Sequence, residues 1–117
     1  MVSSPRLQMQ IRLTTTGRRT GRARTVTLYA FDAGSDALVV VGSLGGAAHH
    51  PAWALNLRAE PMAVAKVGRE ERRVVAREVA GAERERLWTL VCAAFPLYAT
   101  YQRRTKRLIP LFLLVRA

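Results

Sequence analysis

The sequence predicts a mainly β protein with α insertions, in which six short strands form a small, partly closed barrel. Three observations support this fold. Apolar and polar residues alternate over short runs, as strands require. Glycine-rich turns separate these runs, and helical spacing occurs at only two places in the chain. The resulting order, β-β-β-α-β-β-α-β, favours a barrel over a doubly wound sheet.

The first half of the chain is typical of three strands followed by a helix. Alternation predicts the first strand over Leu7–Thr15, and a loop rich in glycine and arginine follows over 17–24. Two further strands are expected at Thr25–Phe31 and Leu38–Val41. A helix is expected over Pro51–Glu60, because proline suits the first helical turn.

The second half adds a hairpin, a long helical segment and a final strand. Met62–Val67 and Arg72–Val79 are expected to pair as the hairpin. Helical spacing runs over Ala82–Thr100, and Pro96 is expected to bend or split this helix. The last strand is predicted over Leu108–Val115.

Length and composition limit the class of protein. A chain of 117 residues with a 50% hydrophobic fraction can form one domain, expected to span 1–117. Its single cysteine, Cys92, cannot form an internal disulfide, which favours a reducing, cytoplasmic location. No apolar run approaches the roughly 18 residues of a membrane span. No metal site is expected, since the adjacent His49 and His50 would point in different directions.

Positive charge is concentrated at the two ends of the sequence. The net charge is +11, and all eight acidic residues lie between Asp32 and Glu85. If the two ends meet in the fold, one face of the molecule is strongly positive. Such a face favours an anionic partner: a nucleic acid, an anionic membrane surface or a polyanionic small molecule.

Residues 13–24 form the first candidate site. Two glycines expose backbone N–H groups, and threonine hydroxyls and arginine side chains accompany them, so phosphate or carboxylate oxygens could bind here. A solvated basic loop explains the same residues equally well. The candidates are Thr16, Gly17, Arg18, Arg19, Thr20 and Arg24.

Residues 42–57 form the second candidate site. Glycines directly after a buried strand let a flat ring or a phosphate approach the backbone. Trp53 and Asn56 lie three residues apart, on one face of the following helix. The alternative is a helix cap with Trp53 in the core, and this is the preferred interpretation of Trp53.

The third candidate site is the aromatic stretch over 95–105. Tyr98 and Tyr101 share a face if this segment is helical. Their phenols could line a pocket and donate a hydrogen bond to a substrate oxygen. Both side chains could equally pack on the barrel with their hydroxyls in water.

The sequence lacks the motifs of a self-sufficient enzyme. It has no dinucleotide-binding glycine motif, no P-loop and no nucleophile elbow around Ser43. Cys92 lies among apolar residues and is interpreted as a structural thiol. An enzyme built in this way needs a cofactor for its chemistry.

The three candidate segments together resemble the deazaflavin-dependent nitroreductase family. The matching stretches are LTTTGRRTGRARTVTL (13–28), GSLGGAAHHPAWALNL (42–57) and YATYQRRTKRLIP (98–110). The resemblance implies a six-stranded split β-barrel, FMN-binding-like, with two to three helices. It also implies coenzyme F420, an 8-hydroxy-5-deazaflavin with a phosphodiester and an oligoglutamate tail, as the cofactor.

By analogy, the arginine-rich loop holds the phosphate and the tail, and the glycine segment lies along the ring. The implied cofactor-binding residues are Thr16, Gly17, Arg18, Arg19, Thr20, Arg24, Val41, Gly42, Ser43, Gly45, Gly46, His49, Pro51, Trp53 and Asn56. Tyr98 and Tyr101 border the substrate. Tyr101 and Ser43 are the candidate catalytic residues, as proton donors alongside water.

The implied function is hydride transfer from reduced F420 to a small planar acceptor, namely a quinone, a nitroaromatic or an enone. The expected partner is this small molecule, and no nucleic-acid partner is expected. The chain is expected to be a monomer or a homodimer without a membrane span, which is compatible with peripheral membrane contact. One alternative is a basic nucleic-acid-binding module, which is disfavoured because residues 13–24 contain no aromatic side chain. Another is the same fold binding FMN, haem or a lipid.

Overall fold

Six antiparallel strands close into a barrel in the order β1-β2-β3-β6-β5-β4, in a computed structural model that describes residues 8–117. The strands are β1 (Gln8–Thr16), β2 (Ala23–Gly34), β3 (Ala37–Val41), β4 (Met62–Val67), β5 (Glu70–Glu78) and β6 (Leu111–Arg116). The helices are α1 (Ala52–Ala59), α2 (Gly81–Ala94) and α3 (Leu97–Arg103), and a 3₁₀ turn spans Leu44–Gly46. The barrel and the chain order of its elements, both predicted from the sequence, are confirmed.

The last strand completes the ring. β6 pairs with β3 on one side and with β5 on the other, and β1 pairs with both β2 and β4. Every residue of β3 is buried, because one face looks into the barrel and the other is covered by α2 and α3. Two hydrophobic cores result from this alternation of side chains.

The first core fills the barrel, and the second lies between the barrel wall and the helices. The barrel core includes Ile11, Leu13, Leu38, Val40, Trp53, Leu57, Phe112 and Leu114. The outer core includes Phe31, Val39, Val41, Leu87, Val91, Tyr98, Ile109 and Leu111. Neighbours along one strand therefore belong to different cores. Helices α2 and α3 pack on the outer core, whereas α1 contributes Trp53 and Leu57 to the barrel core.

The hairpin between β1 and β2 is longer than the sequence suggests. A loop over 17–24 and a second strand beginning at Thr25 were expected, but the ladder continues until Thr16 lies opposite Ala23. Only Gly17–Arg22 form the turn, which is closed by a 2.7 Å hydrogen bond from the Gly17 N–H to the Arg22 carbonyl. Arg24 is therefore a strand residue, held in register opposite Thr15. The residue Leu7, predicted to begin β1, lies outside the described residues.

The two prolines of the C-terminal third set the boundaries of its elements. Pro96 splits the predicted long helix into α2 and α3, as expected. The final strand begins at Leu111 and not at Leu108, because Pro110 has no N–H to donate to a ladder. The Pro110 carbonyl instead accepts a hydrogen bond from the Gly42 N–H at 2.8 Å.

None of the helices within residues 8–117 is long and apolar enough to cross a membrane. The same residues contain no group of three or more His, Cys, Asp or Glu side chains that could hold a metal ion.

Candidate functional site

A groove of about 1150 Å³ brings together all three segments that the sequence singled out. Its walls are the tip of the β1–β2 hairpin, the outer face of β2, the loop after β3, the start of α1, and α3. The predicted site residues that line it are Gly17, Arg18, Arg19, Thr20, Arg24, Val41, Ser43, Gly45, His49, Pro51, Trp53, Asn56, Tyr98 and Tyr101. Residues as distant in the chain as Thr15 and Tyr101 thus share one cavity because the barrel closes.

Three predicted residues do not line the groove. Thr16 alternates with Thr15 along β1, so the buried Thr15 contributes to the wall in its place. Gly42 packs on Pro110, where an added Cβ would lie 2.8 Å from the proline Cγ. Gly46 packs on α3, where an added Cβ would lie 2.7 Å from the Tyr101 carbonyl oxygen. These two glycines serve close packing of the loop.

One end of the groove carries positive charge that no acidic side chain of the described residues neutralises. Arg18, Arg19 and Arg24 are exposed at the hairpin, and none of them pairs with a carboxylate of residues 8–117. The four carboxylates that form ion pairs do so elsewhere: Glu78 with Arg58, Glu83 with Arg77, and Asp36 and Glu70 with Arg72 and Arg116. This end of the groove therefore attracts anions.

Asn56 fixes the hairpin against α1. Its side chain is 4% exposed, its Oδ1 accepts a hydrogen bond from the Arg18 N–H at 3.0 Å, and its Nδ2 donates to Thr15 Oγ1 at 3.1 Å. Both functional ends of the amide are therefore engaged in holding the β1–β2 turn. Asn56 also lines the groove, where its second Nδ2 proton makes no bond to the residues that the structure describes.

The loop after β3 lies next to this charged end and has an unusual backbone. Leu44, Gly45 and Gly46 have φ angles of 44°, 62° and 83°, and Ser43 directly before them is in the right-handed helical region. A right-handed residue followed by a left-handed one turns successive N–H groups to one side, which favours anion or carbonyl binding. Within the described part of the chain, the N–H groups of Ser43, Leu44 and Gly45 have no hydrogen-bond acceptor. Side chains or backbone of these three residues line the groove.

The opposite wall is aromatic. Tyr98 packs against Phe95 with ring centroids 4.7 Å apart, and Tyr101 lies 6.3 Å from both rings. Burial raises the pKa of Tyr98, with smaller contributions from Tyr101 and Tyr29, so its hydroxyl stays protonated. The expectation that Tyr98 and Tyr101 share a helical face is confirmed by α3.

Trp53 belongs to the barrel core, which confirms the preferred interpretation of this residue from the sequence. It is 8% exposed and packs edge-on to Phe112 at 6.0 Å, while one part of it reaches the groove wall. Cys92 does not line the groove, and burial raises the pKa of its thiol, which disfavours a nucleophilic thiolate.

Several wall residues were not predicted from the sequence. Tyr29 extends from β2 towards Phe95, with ring centroids 6.2 Å apart. Leu44, His50 and Leu55 also contribute to the wall. Tyr29 had a detectable signal: it follows Thr25 and Thr27 on the outward face of β2, where an exposed aromatic side chain indicates contact with another element or a ligand.

The groove fits the coenzyme that the sequence resemblance implies. Its exposed arginines suit a phosphodiester and carboxylates. Its apolar and aromatic walls suit a flat ring, and the backbone N–H groups at one edge, which have no acceptor among residues 8–117, suit carbonyl groups on that ring. A volume of about 1150 Å³ leaves room for both a coenzyme ring and a small acceptor.

Comparisons with known proteins identify the family of the chain. The sequence profile of the family described as F420H(2)-dependent quinone reductase matches residues 3–116. The F420H(2)-dependent quinone reductase of Mycobacterium tuberculosis (strain ATCC 25618 / H37Rv) is 39% identical over 108 residues, which cover 89% of this chain and 71% of that protein.

Two solved structures share the fold at similar identity. An F420-H2 dependent reductase (FDR-A) is 37% identical with a TM-score of 0.82, over 91% of this chain and 93% of that one. A protein described as a domain-swapped dimer is 35% identical with a TM-score of 0.83, over 98% of this chain and 84% of that one. The resemblance stated from sequence motifs is thereby confirmed. The chain belongs to the F420H(2)-dependent quinone reductase family, and it is an oxidoreductase whose cofactor is coenzyme F420.

Proposed function

We propose that this chain binds F420H2 along the groove and passes its hydride to a quinone held against the aromatic wall. The observation that carries this proposal is the meeting, in one cavity, of paired tyrosines with arginines and backbone N–H groups that have no partner among residues 8–117. The quinone is favoured over a nitroaromatic or an enone because the family and its Mycobacterium tuberculosis member are described as quinone reductases.

When bound, F420H2 supplies the hydride, which carries both electrons to the acceptor and leaves oxidised F420. The residues of the chain then have four tasks: to bind the coenzyme, to orient its ring, to exclude water, and to deliver one proton to the reduced acceptor.

Binding is assigned to the hairpin. The guanidinium groups of Arg18, Arg19 and Arg24 would contact the phosphate and the carboxylates of the tail, with Thr20 as a neutral donor. Since no carboxylate of the described chain neutralises these arginines, they bind an anion without first breaking an ion pair. Asn56 supports them by fixing the backbone of Arg18.

Orientation is assigned to the loop after β3. The N–H groups of Ser43, Leu44 and Gly45 would donate to polar atoms at the edge of the ring, and Pro51 and Trp53 would limit its position from the side of α1. Donors that are fixed before binding stabilise charge on the ring without reorganisation.

The acceptor is assigned to the aromatic wall. Phe95, Tyr98, Tyr101 and Tyr29 offer faces and edges on which a flat quinone can pack, and their apolar surface excludes water. The quinone oxygen that gains negative charge needs one proton. Tyr101 is the proposed donor because it lies in the groove and is less buried than Tyr98; Ser43 or a water molecule is the alternative.

The decisive experiment is a titration of the purified protein with F420, followed by deazaflavin fluorescence, with FMN as the control ligand. A second arm measures oxidation of F420H2 by a simple naphthoquinone and by a nitroaromatic of similar size. Preference for F420 and for the naphthoquinone supports the proposal. Equal or stronger binding of FMN, or turnover of the nitroaromatic alone, contradicts it.

We also propose an oligomeric state and a cellular location for the protein. A homodimer is favoured over a monomer, because the relative of TM-score 0.83 is described as a domain-swapped dimer; light scattering in solution distinguishes the two. A cytoplasmic location is proposed because the single cysteine leaves no internal disulfide to be protected.

A further inference from the structure

Arg107 makes an unusual set of contacts behind the loop after β3. Its Nε donates to the Ala47 carbonyl at 2.8 Å, its Nη2 donates to the Ser43 carbonyl at 2.6 Å, and its Nη1 donates to the Gly42 carbonyl at 3.0 Å and to His50 Nδ1 at 2.9 Å. No carboxylate of residues 8–117 pairs with it. This guanidinium therefore binds backbone dipoles where Arg58, Arg72, Arg77 and Arg116 bind acids.

The three carbonyls come from one short segment, Gly42–Ala47, which we name the ring loop. Three carbonyls within six residues can face one cation only if the backbone reverses its direction. The positive φ angles of Leu44, Gly45 and Gly46 provide this reversal. Leu44 has a φ of 44°, a conformation that a leucine rarely adopts. The guanidinium stabilises this conformation, since charge-assisted hydrogen bonds are about twice as strong as neutral ones.

The position of Arg107 is itself fixed by α3. The Gln102 side chain donates from Nε2 to the Arg107 carbonyl at 2.8 Å, and its Oε1 accepts from the Ile109 N–H at 3.0 Å. The backbone on both sides of Arg107 is thus held by a single amide. A continuous series of hydrogen bonds runs from α3, which carries the two groove tyrosines, through Arg107 to the ring loop.

The bonds between Arg107 and the carbonyls of the ring loop determine which polar groups of this loop remain available for a ligand. With the carbonyls of Gly42 and Ser43 committed to Arg107, the N–H groups of Ser43, Leu44 and Gly45 remain without acceptors in the described chain, on a segment that lines the groove. We propose that Arg107 is a positioning residue that holds the ring loop in the conformation in which it binds the coenzyme ring. The identity of the ligand in this inference rests on the proposed function. The role of Arg107 in holding the ring loop rests on the geometry of the loop alone.

A residue that only stabilised the barrel would have contacts with the barrel. The side-chain hydrogen bonds of Arg107 go to the ring loop and to His50, which precedes α1, and none goes to a strand of the described chain. Loss of the Arg107 side chain is therefore expected to disturb the groove residues more than it lowers the stability of the barrel.

The test compares Arg107→Lys with the control Arg103→Lys. Lysine keeps the charge in both variants but cannot reach several carbonyls at once. Arg103 is exposed, and among residues 8–117 its side chain donates only to Thr100 Oγ1, on its own helix. Hydrogen exchange of the ligand-free proteins is measured over residues 42–50. Binding is measured with F420 and with the 8-hydroxy-5-deazaflavin nucleoside that lacks the phosphodiester and tail.

Exchange in the ring loop is expected to accelerate in Arg107→Lys and to stay unchanged in Arg103→Lys. Affinity is expected to fall roughly tenfold or more for F420 and by the same factor for the tail-less nucleoside, because the loss concerns the ring and not the tail. A loss confined to F420 would place Arg107 in tail binding and overturn the inference, and so would unchanged exchange.

A second variant covers the case in which Arg107→Lys does not fold. His50→Ala removes one of the four acceptors and leaves the three carbonyl contacts, so a smaller acceleration of ring-loop exchange is expected. Unchanged exchange in His50→Ala would then overturn the inference. If the wild-type protein failed to bind F420, the proposed function would fall, whereas the exchange data would still decide whether Arg107 holds the loop.

Discussion

The side chain of Asn56 accepts a hydrogen bond from the backbone N–H of Arg18 at 3.0 Å, across 38 residues of sequence. The same amide donates to Thr15 Oγ1, so one buried side chain fastens the arginine hairpin to the first helix of the groove. The anion-binding end of the site is thus connected to the part of the molecule that borders the ring.

Asn56→Ala should therefore affect both stability and binding. The buried Thr15 hydroxyl and the partly buried Arg18 N–H each lose a hydrogen bond, which costs about 1–3 kcal/mol of the free energy of unfolding. Affinity for F420 should fall roughly tenfold, because the Arg18 backbone is no longer fixed. Urea unfolding and fluorescence titration measure the two effects. Thr15→Val is the matched control: it breaks only the second bond, and an equal loss of affinity there would refute the role given to Arg18.

Arg18→Ala and Arg19→Ala should each weaken F420 binding by about 1.5–3 kcal/mol, on the order of ten- to a hundredfold. The control is Arg69→Ala, since Arg69 is exposed on the turn between β4 and β5 and does not line the groove. Wild-type affinity should also rise with the length of the oligoglutamate tail and fall with added salt. Unchanged affinity in both hairpin variants would remove the hairpin from the site.

Gly46→Ala should destabilise the protein more than Gly45→Ala. Both glycines have positive φ, 83° and 62°, so both variants carry backbone strain. Only at Gly46 would the new Cβ lie 2.7 Å from the Tyr101 carbonyl oxygen, whereas nothing lies within 4 Å at Gly45. An extra cost of about 1–3 kcal/mol is expected at Gly46, measured as the difference in urea unfolding. Equal costs would show that α3 can move away from the loop.

Tyr101→Phe should lower kcat for the naphthoquinone more than Tyr98→Phe does. Tyr98 is 5% exposed and is buried among aromatic rings, and burial raises its pKa above the ordinary value of 10.0, so its proton is hard to release. A loss of about tenfold or more is expected for Tyr101→Phe if this hydroxyl supplies the proton. An unchanged kcat in that variant would assign the proton to Ser43 or water.

Acid should loosen the ring loop through His50. A guanidinium only donates, so the His50 Nδ1 that contacts Arg107 must be unprotonated. Burial, followed by the charges of Arg58 and Arg107, lowers the pKa of His50 below its ordinary value of 6.5, while Glu78 opposes this and His49 adds slightly to it. The unfolded chain therefore takes up this proton first, and the stabilisation present above pH 6.5 is lost as pH falls towards the folded-state pKa.

Ring-loop exchange and F420 affinity, measured from pH 7.5 to about pH 5, should reveal this loss in the wild-type protein. His50→Ala removes the titrating group, so its profile should lose the component assigned to His50. Identical profiles in the two proteins would contradict this assignment.

Much of the local structure followed from the sequence. The sequence predicted all six strands, from alternation at Leu7–Thr15 and Met62–Val67 and from a β-branched apolar run at Leu38–Val41. Pro96 predicted the break between α2 and α3, because proline cannot donate the hydrogen bond that a helix interior requires. Strand ends were less predictable. Arg24 looks like a loop residue beside its charged neighbours, yet pairing with Thr15 extends β2 to include it. Strand pairing depends on both strands together, so the end of β2 could not be predicted from the sequence of either strand alone.

The amino-acid sequence by itself determined the elements, their order, and the surplus of arginine that calls for an anionic ligand. The tertiary structure alone decided which arginines remain without acids, that Tyr29 joins the aromatic wall, and that Arg107 acts on a loop 60 residues before it. The physical reason is that propensity and charge are properties of single residues and their neighbours. Contacts such as those of Arg107 and Asn56 exist only once barrel closure has brought distant segments within hydrogen-bonding distance.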